Sequence, residues 1–284
     1  MSLRLGYGLN GFTDHRLEDA LALLAELGYD GVALTLDHAH LDPFAPDLAG
    51  RAARVGALLE RHGLAVVVET GARYVLDPRR KHEPTLVSDT GRARRIDLLE
   101  RAIRVAAEVG SPTVSCWSGI APAGASRDEL WSRVEAGVAA LLPVADSHGV
   151  DLALEPEPGM FLERIADVLE LRRRLGSPDR LRLTIDVGHL RCTEDAEPAA
   201  CILGAGDLVA NVQIDDMRRG VHEHLPLGEG EVDFPPVLAA LEAIEFAGLV
   251  AVELPRHSHA APSLAASSLE FLRDAARRPQ EVGR

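Results

Sequence analysis

Leu181–His189 reads LRLTIDVGH, an apolar-rich run that ends in an acid, then a glycine and a histidine. A buried strand hands charged side chains to a ligand in this way, at its carboxyl end. Three other strand-like runs end alike: VDLALE at Glu155, LVANVQIDD around Gln213 and LVAVE at Glu253. Outward from these four, short β-rich runs alternate with longer segments of helical periodicity, the pattern of repeated βα units around a parallel sheet. Strands are expected at 4–9, 31–36, 64–69, 113–117, 151–155, 181–186, 208–214 and 249–253. Helices are expected from about 13 to 27, then at 47–62, 92–109, 126–148, 165–175, 197–203, 235–244 and 263–277. Ser126-Arg127-Asp128-Glu129 fits a capping box at the start of the fourth of these.

Eight strands and eight helices joined by right-handed crossovers close into a (β/α)8 barrel, and a chain of 284 residues fits one such domain. The domain is placed at residues 1–278, with 279–284 as a frayed tail. The polar stretch Thr70–Thr90 is long for a connection inside a compact domain and is expected to act as a lid or binding loop.

Composition removes several functional classes. With 30 basic and 44 acidic residues the net charge is −14, an unfavourable field for a nucleic-acid backbone. No secretory signal or membrane-length apolar run is seen, so a cytoplasmic protein with no membrane partner is expected. Cys116, Cys192 and Cys201 lack CxxC spacing and read as free thiols. Lys81 is the one lysine, and it lies in the polar run RRKHEP rather than at a strand end, which argues against Schiff-base chemistry. Gly6-Tyr7-Gly8-Leu9-Asn10-Gly11 has the spacing GxGxxG but overlaps the first strand instead of following it, so a dinucleotide site lacks its main support.

In a barrel of this kind the carboxyl ends of the strands face a common mouth. Glu155, Asp186, Gln213 and Glu253 end four consecutive barrel strands. Three carboxylates and an amide carbonyl form an oxygen-only set suited to one hard divalent ion, Mn2+ or Mg2+. An ion there would polarise the carbonyl of a sugar or α-hydroxy ketone and stabilise an enediolate. Glu155 and Glu253 have the type and reach of the catalytic base and acid, whereas the shorter Asp186 suits holding the ion. His189 is expected to contact substrate, the intervening glycine letting the backbone turn. His222 and His224 would point the same way on an extended segment, towards substrate or a second metal. Glu69, Trp117 and His38 stand near strand ends and are expected to line the mouth. The glycines after the seventh strand form no evident phosphate clamp, because Glu229 and Glu231 would repel one, so an unphosphorylated substrate is expected.

ALEPEPG at Glu155, TIDVGH at Asp186, NVQIDD at Gln213, HLPLGEGEVDF from His224 and GLVAVELP at Glu253 resemble the successive motifs of the xylose-isomerase-like TIM barrels, the sugar phosphate isomerase/epimerase superfamily. The strong matches run from about Val150 to Leu254. The resemblance implies a divalent metal held by Glu155, Asp186 and Glu253, with the two glutamates moving the substrate proton. Gln213 stands where most members have His, as it does in the hydroxypyruvate isomerases, which weakens the preference for zinc and leaves Co2+ or Zn2+ behind Mn2+ and Mg2+. The implied activity is isomerisation or epimerisation of a small sugar, keto-sugar or cyclitol ketone. The alternatives are an inosose-type dehydratase, a DNA-repair endonuclease-like hydrolase and a non-catalytic sugar-binding barrel. The hydrolase pattern is weakened by Gln213 and by His222 where an Asp is expected. The expected partner is a small carbohydrate, and no oligomeric state is read.

Overall fold

Two-residue alternation along the strands explains how the barrel closes. Val32, Leu34, Val66, Val68, Leu152, Leu154, Leu183, Ile185, Val212, Ile214, Val250 and Val252 are buried in one large apolar cluster with the helices. The residues between them face the other side of the sheet. Ala33, Val67 and Ala251 form a small separate cluster there. Small inward side chains permit a narrow interior, while bulky outward ones bind the helical mantle. Each fully buried Val, Leu or Ile contributes roughly 1.5–3 kcal/mol, so the mantle carries most of the stability.

The computed structural model describes residues 3–277, and the tail expected at 279–284 lies outside them. The barrel strands are β1 (Arg4–Gly8), β2 (Gly31–Thr35), β3 (Ala65–Glu69), β4 (Thr113–Trp117), β5 (Asp151–Glu155), β6 (Leu181–Asp186), β7 (Val209–Ile214) and β10 (Leu249–Val252). All pair in parallel in the order β1-β10-β7-β6-β5-β4-β3-β2, with β1 pairing both β2 and β10 to close the ring. The helices are α1 (Leu17–Leu27), α2 (Leu48–His62), α3 (Arg92–Val109), α4 (Arg127–His148), α5 (Ile165–Arg174), α6 (Val187–Thr193), α7 (Pro198–Ala205), α8 (Phe234–Ala243) and α9 (Ala261–Arg277). The capping box at Ser126 and Glu129 is formed. No helix among the described residues is long and apolar enough to cross a membrane.

Two local expectations are corrected, and a third element is added. α1 starts later than expected because a 3-10 turn occupies Leu9–Phe12 and the Asp14 amide donates to Ser258 Oγ at 2.7 Å. Residues 187–193, read as a turn, are the helix α6, capped by Asp186, whose carboxylate accepts from the His189 amide at 2.9 Å. Gly188 therefore does not serve a turn: a Cβ at that position would overlap the Asp215 carboxylate. The loop after β7 contains an antiparallel hairpin, β8 (Asp216–Arg218) with β9 (Val221–Leu225).

Candidate active site

The last inward position of seven strands is polar or aromatic, and these residues form one layer at the mouth: Thr35, Glu69, Trp117, Glu155, Asp186 and Gln213, with Glu253 just past the end of β10. All but Asp186 line a cavity of about 150 Å³, below the range of about 300–1,000 Å³ usual for small-molecule pockets, so the ligand must be small. Asp186 lies beneath it, 1% exposed.

One carboxylate oxygen each of Glu155, Asp186 and Glu253 lie within 4.8 Å of one another. Asp186 Oδ2 and Gln213 Oε1 are buried without a hydrogen-bond partner. Unsatisfied buried acceptors are costly, and several pointing to one place require a donor or a cation. Electrostatics agree. Burial, then the charges of Glu253 and Asp186, raise Glu155 well above the usual carboxylate range. Burial and Asp186 push Glu253 up to about 7. Glu69 is raised by burial and by Glu253, Glu155 and Asp186. A divalent cation would resolve this repulsion, and the donor set, three carboxylates and one amide oxygen, fits a hard ion.

The histidines sit on the same side. His189 Nδ1 is 3.3 Å from Glu155 Oε1, and its Nε2 is 3.8 Å from Asp186 Oδ2. Burial works against a charged imidazole here, but Asp186, Glu157 and Glu253 outweigh it and raise its pKa. The hairpin delivers His222 and His224, whose rings lie 5.0 and 5.7 Å from that of His189. His224 Nδ1 contacts Asp215 Oδ2 at 2.5 Å. Burial raises Asp215 above the usual carboxylate range and lowers His224, and both shifts favour the uncharged forms. Three further three-residue sets, Asp186/Asp215/His224, His189/His222/His224 and Glu155/Glu157/His189, have ligand atoms close enough to share an ion.

Trp117 forms a wall, with the Arg95 guanidinium 4.6 Å from its ring centroid and His82 edge-on at 5.2 Å. The segment Thr70–Thr90 is fastened there: Arg95 donates to the carbonyls of Pro84, Thr70 and His82. His38 is a correction. Its side chain is 58% exposed, faces Asp42 at 3.4 Å and does not line the cavity. The backbone is turned away because the Asp37 carboxylate accepts from the amides of Ala39 and His40.

Residues missed from the sequence also line the cavity. Asn10 Nδ2 donates to Glu253 Oε1 at 2.7 Å, so the turn after β1 orients the glutamate just past β10. Asn10 follows a strand end, and that signal could have found it. Glu157, pushed up to about 8 by burial, stands between His189 and His222. Arg73, Lys81, His82 and Arg256 come from loops, where no periodicity marks them.

The glycines after β7 have a structural use. Asp216 accepts from the amides of Gly228, Gly230 and Val232, each at 2.9 Å. Bonds to a charged acceptor are worth about 1.5–3 kcal/mol each and are not additive, so Asp216→Ala is expected to cost about 3 kcal/mol. At about 2–4 °C per kcal/mol this lowers the calorimetric midpoint by several degrees. An unchanged midpoint would mean that other contacts hold the loop.

Comparison with known proteins comes down on the same architecture. Residues 21–275 match the family model described as xylose isomerase-like TIM barrel. The L-ribulose-5-phosphate 3-epimerase UlaE of Salmonella paratyphi C is 26% identical over 241 residues, 83% of this chain and 81% of that protein. The D-allulose 3-epimerase of a Methylomonas species, solved with D-allulose, superposes with a TM-score of 0.74 at 23% identity, covering 96% of this chain and 97% of that one. A structure titled IOLI protein, with a bound zinc atom, gives a TM-score of 0.73 at 16% identity over 96% of this chain and 98% of that one.

Proposed function

Because the chain belongs to the xylose isomerase-like TIM barrel family, we propose that it is a divalent-metal-dependent epimerase of a small ketose, acting by proton transfer at the carbon beside the carbonyl. The observation that carries the proposal is the convergence of Glu155, Asp186 and Glu253 within 4.8 Å of one another, with Gln213, the register partner of Asp186, bringing an unpartnered oxygen to the same cavity. Mn2+ or Mg2+ suits these donors, and when bound it supplies Lewis-acid polarisation of the substrate carbonyl.

The remaining chemistry belongs to the chain. Glu155 on β5 and Glu253 after β10 stand at opposite ends of the arc β5-β6-β7-β10, with Asp186 and Gln213 between them. A carbon held across that arc has one carboxylate on each face. One glutamate removes the proton and the other returns a proton to the opposite face, which inverts the centre. Isomerisation needs transfer along one face, so the placement favours epimerisation. Asn10 holds Glu253 in position by its 2.7 Å bond. His189, kept more basic than a free imidazole by the surrounding acids, donates to the oxygen on which negative charge develops. Trp117 covers the apolar face of the sugar. The relatives' names, one with an L-ribulose 5-phosphate activity and one solved with D-allulose, support a ketose as substrate.

Incubating 2-ketoses in deuterium oxide with the metal-loaded protein is expected to yield the 3-epimer carrying one deuterium at that carbon. An epimer formed without solvent deuterium would overturn the two-base route. A product lighter by one water would move the assignment to a dehydratase.

A further inference from the structure

The floor of the cavity is acidic, but its rim is not. Arg73 and Lys81, from the loop after β3, and Arg256, from the loop after β10, line the same cavity as Glu155 and Glu253. The three are close enough that Arg73 and Arg256, after burial, lower the pKa of the Lys81 ammonium, against a smaller opposite effect of Glu157. Lys81 and Arg256 also act on both hairpin histidines, lowering His222 and His224 further. Arg73 is fixed in place: its guanidinium donates to the carbonyls of Pro255 and Asn10, both at 3.2 Å, and lies 3.6 Å from Asp37. Its charge is therefore partly answered. Among the described residues, Lys81 and Arg256 make no ion pair with any carboxylate, although the chain carries 44 acidic residues. Gathering like charges around one opening is unfavourable unless opposite charge answers them, and at the rim, above the acidic floor, an anion can do so.

We propose that Lys81 and Arg256, steadied by Arg73, form a subsite for an anionic terminus of the substrate, so that the ketose carries a terminal phosphate or carboxylate. The inference rests on the ketose-epimerase reading and adds the charge of the substrate to it. The polarity of the cavity then orients the ligand: the ketol end goes down to the carboxylate layer, which would repel an anion, and the charged end stays at the rim. It also replaces the expectation of an unphosphorylated substrate. That expectation looked for a phosphate clamp at the glycines after β7, whose amides are taken by Asp216. The cations come instead from two loops 175 positions apart, from Lys81 to Arg256.

The test is calorimetric titration of the metal-loaded full chain with L-ribulose, L-ribulose 5-phosphate and a ketose of similar length ending in a carboxylate. One of the anionic ligands is expected to bind at least about tenfold more tightly than the neutral sugar, as charge-assisted contacts would make it, and which one does so identifies the anion. The Lys81→Ala/Arg256→Ala double variant is expected to bring that ratio within about threefold of unity, and raising NaCl is expected to weaken only the anionic ligand. Both residues are exposed, and an unchanged thermal midpoint confirms the variant is folded. Equal affinity for neutral and anionic ketoses overturns the inference, as does an anion preference that survives in the double variant. Turnover is measured in parallel and keeps the two readings apart. Selective binding without epimerisation leaves the anion subsite standing and sinks the epimerase, whereas epimerisation of neutral ketoses without anion preference does the reverse.

Discussion

Glu253→Gln and Glu155→Gln are each expected to lower kcat by about 10²–10⁴-fold, the usual contribution of a positioned general acid or base. Gln retains the carbonyl oxygen, as Gln213 already shows in the same layer, and removes the ability to carry a proton between substrate and solvent. The loss should therefore fall on kcat more than on KM, and neither variant should unfold. The two glutamates are not equivalent in surroundings. Glu253 is pushed up to about 7 and is tied to Asn10, whereas Glu155 is raised by burial and by two carboxylates and stands beside His189. Deuterium washout separates them. If one glutamate faces each side of the carbon, one variant still exchanges the substrate's proton with solvent and the other loses exchange from that epimer. Full activity in both variants would remove them from the proton-transfer role.

Stripping divalent ions with a chelator is expected to abolish turnover, to lower the thermal midpoint, and to be reversed by Mn2+. A ligand present at 100 times its Kd stabilises the folded state by about 2.7 kcal/mol, which for a chain of this size corresponds to roughly 5–10 °C. The pH dependence follows from the raised carboxyls. Free glutamate titrates near 4.5 and Glu253 near 7 in the fold, with Glu155 and Glu69 also raised. At these carboxyls the folded chain thus binds more protons than the unfolded chain between these values. Their contribution to the stability of the metal-free protein accordingly falls as pH rises through that window, while the lowered His82 and His222 act in the opposite sense. Protons compete with the ion for the same oxygens, so the stabilisation by Mn2+ should be larger at pH 8 than at pH 5.5. Scanning calorimetry at the two values checks this. Elemental analysis should find one equivalent per chain. Two or three tightly held equivalents, using the sets that include Asp215, His222 and His224, would instead favour a multi-metal hydrolase.

Much of the site was legible because barrel geometry turns strand ends into neighbours. Once LRLTIDVGH is taken as a strand, Asp186 must stand at a mouth, and the same reasoning carries Glu155, Gln213, Glu253 and Glu69 there. Trp117 follows by the same rule. Where the backbone leaves the strand, the rule stops. His38 is two residues past Leu36, and local capture of the Ala39 and His40 amides by Asp37 decides its direction. Residues 187–193 have too short a pattern to reveal a helix, and only the contact between Gly188 and Asp215 explains why a glycine stands inside it. Glu157, two positions beyond Glu155, was passed over because strand alternation no longer applies there.

The sequence by itself determined the eightfold βα rhythm, the outward aliphatic and inward small or polar faces, and the four oxygen donors at consecutive strand ends, because these depend on periodicity within segments. Tertiary structure alone decided which distant groups serve those donors. Asn10 reaches Glu253 across 243 positions, Arg73 reaches Pro255 across 182, and Lys81 and Arg256 meet at the rim of one cavity. Such meetings depend on closure of the ring between β1 and β10 and on the path of irregular loops. Hydrogen bonds donated by Arg73 and Arg95 and accepted by Asp216 hold those loops, and no local pattern of side chains announces them.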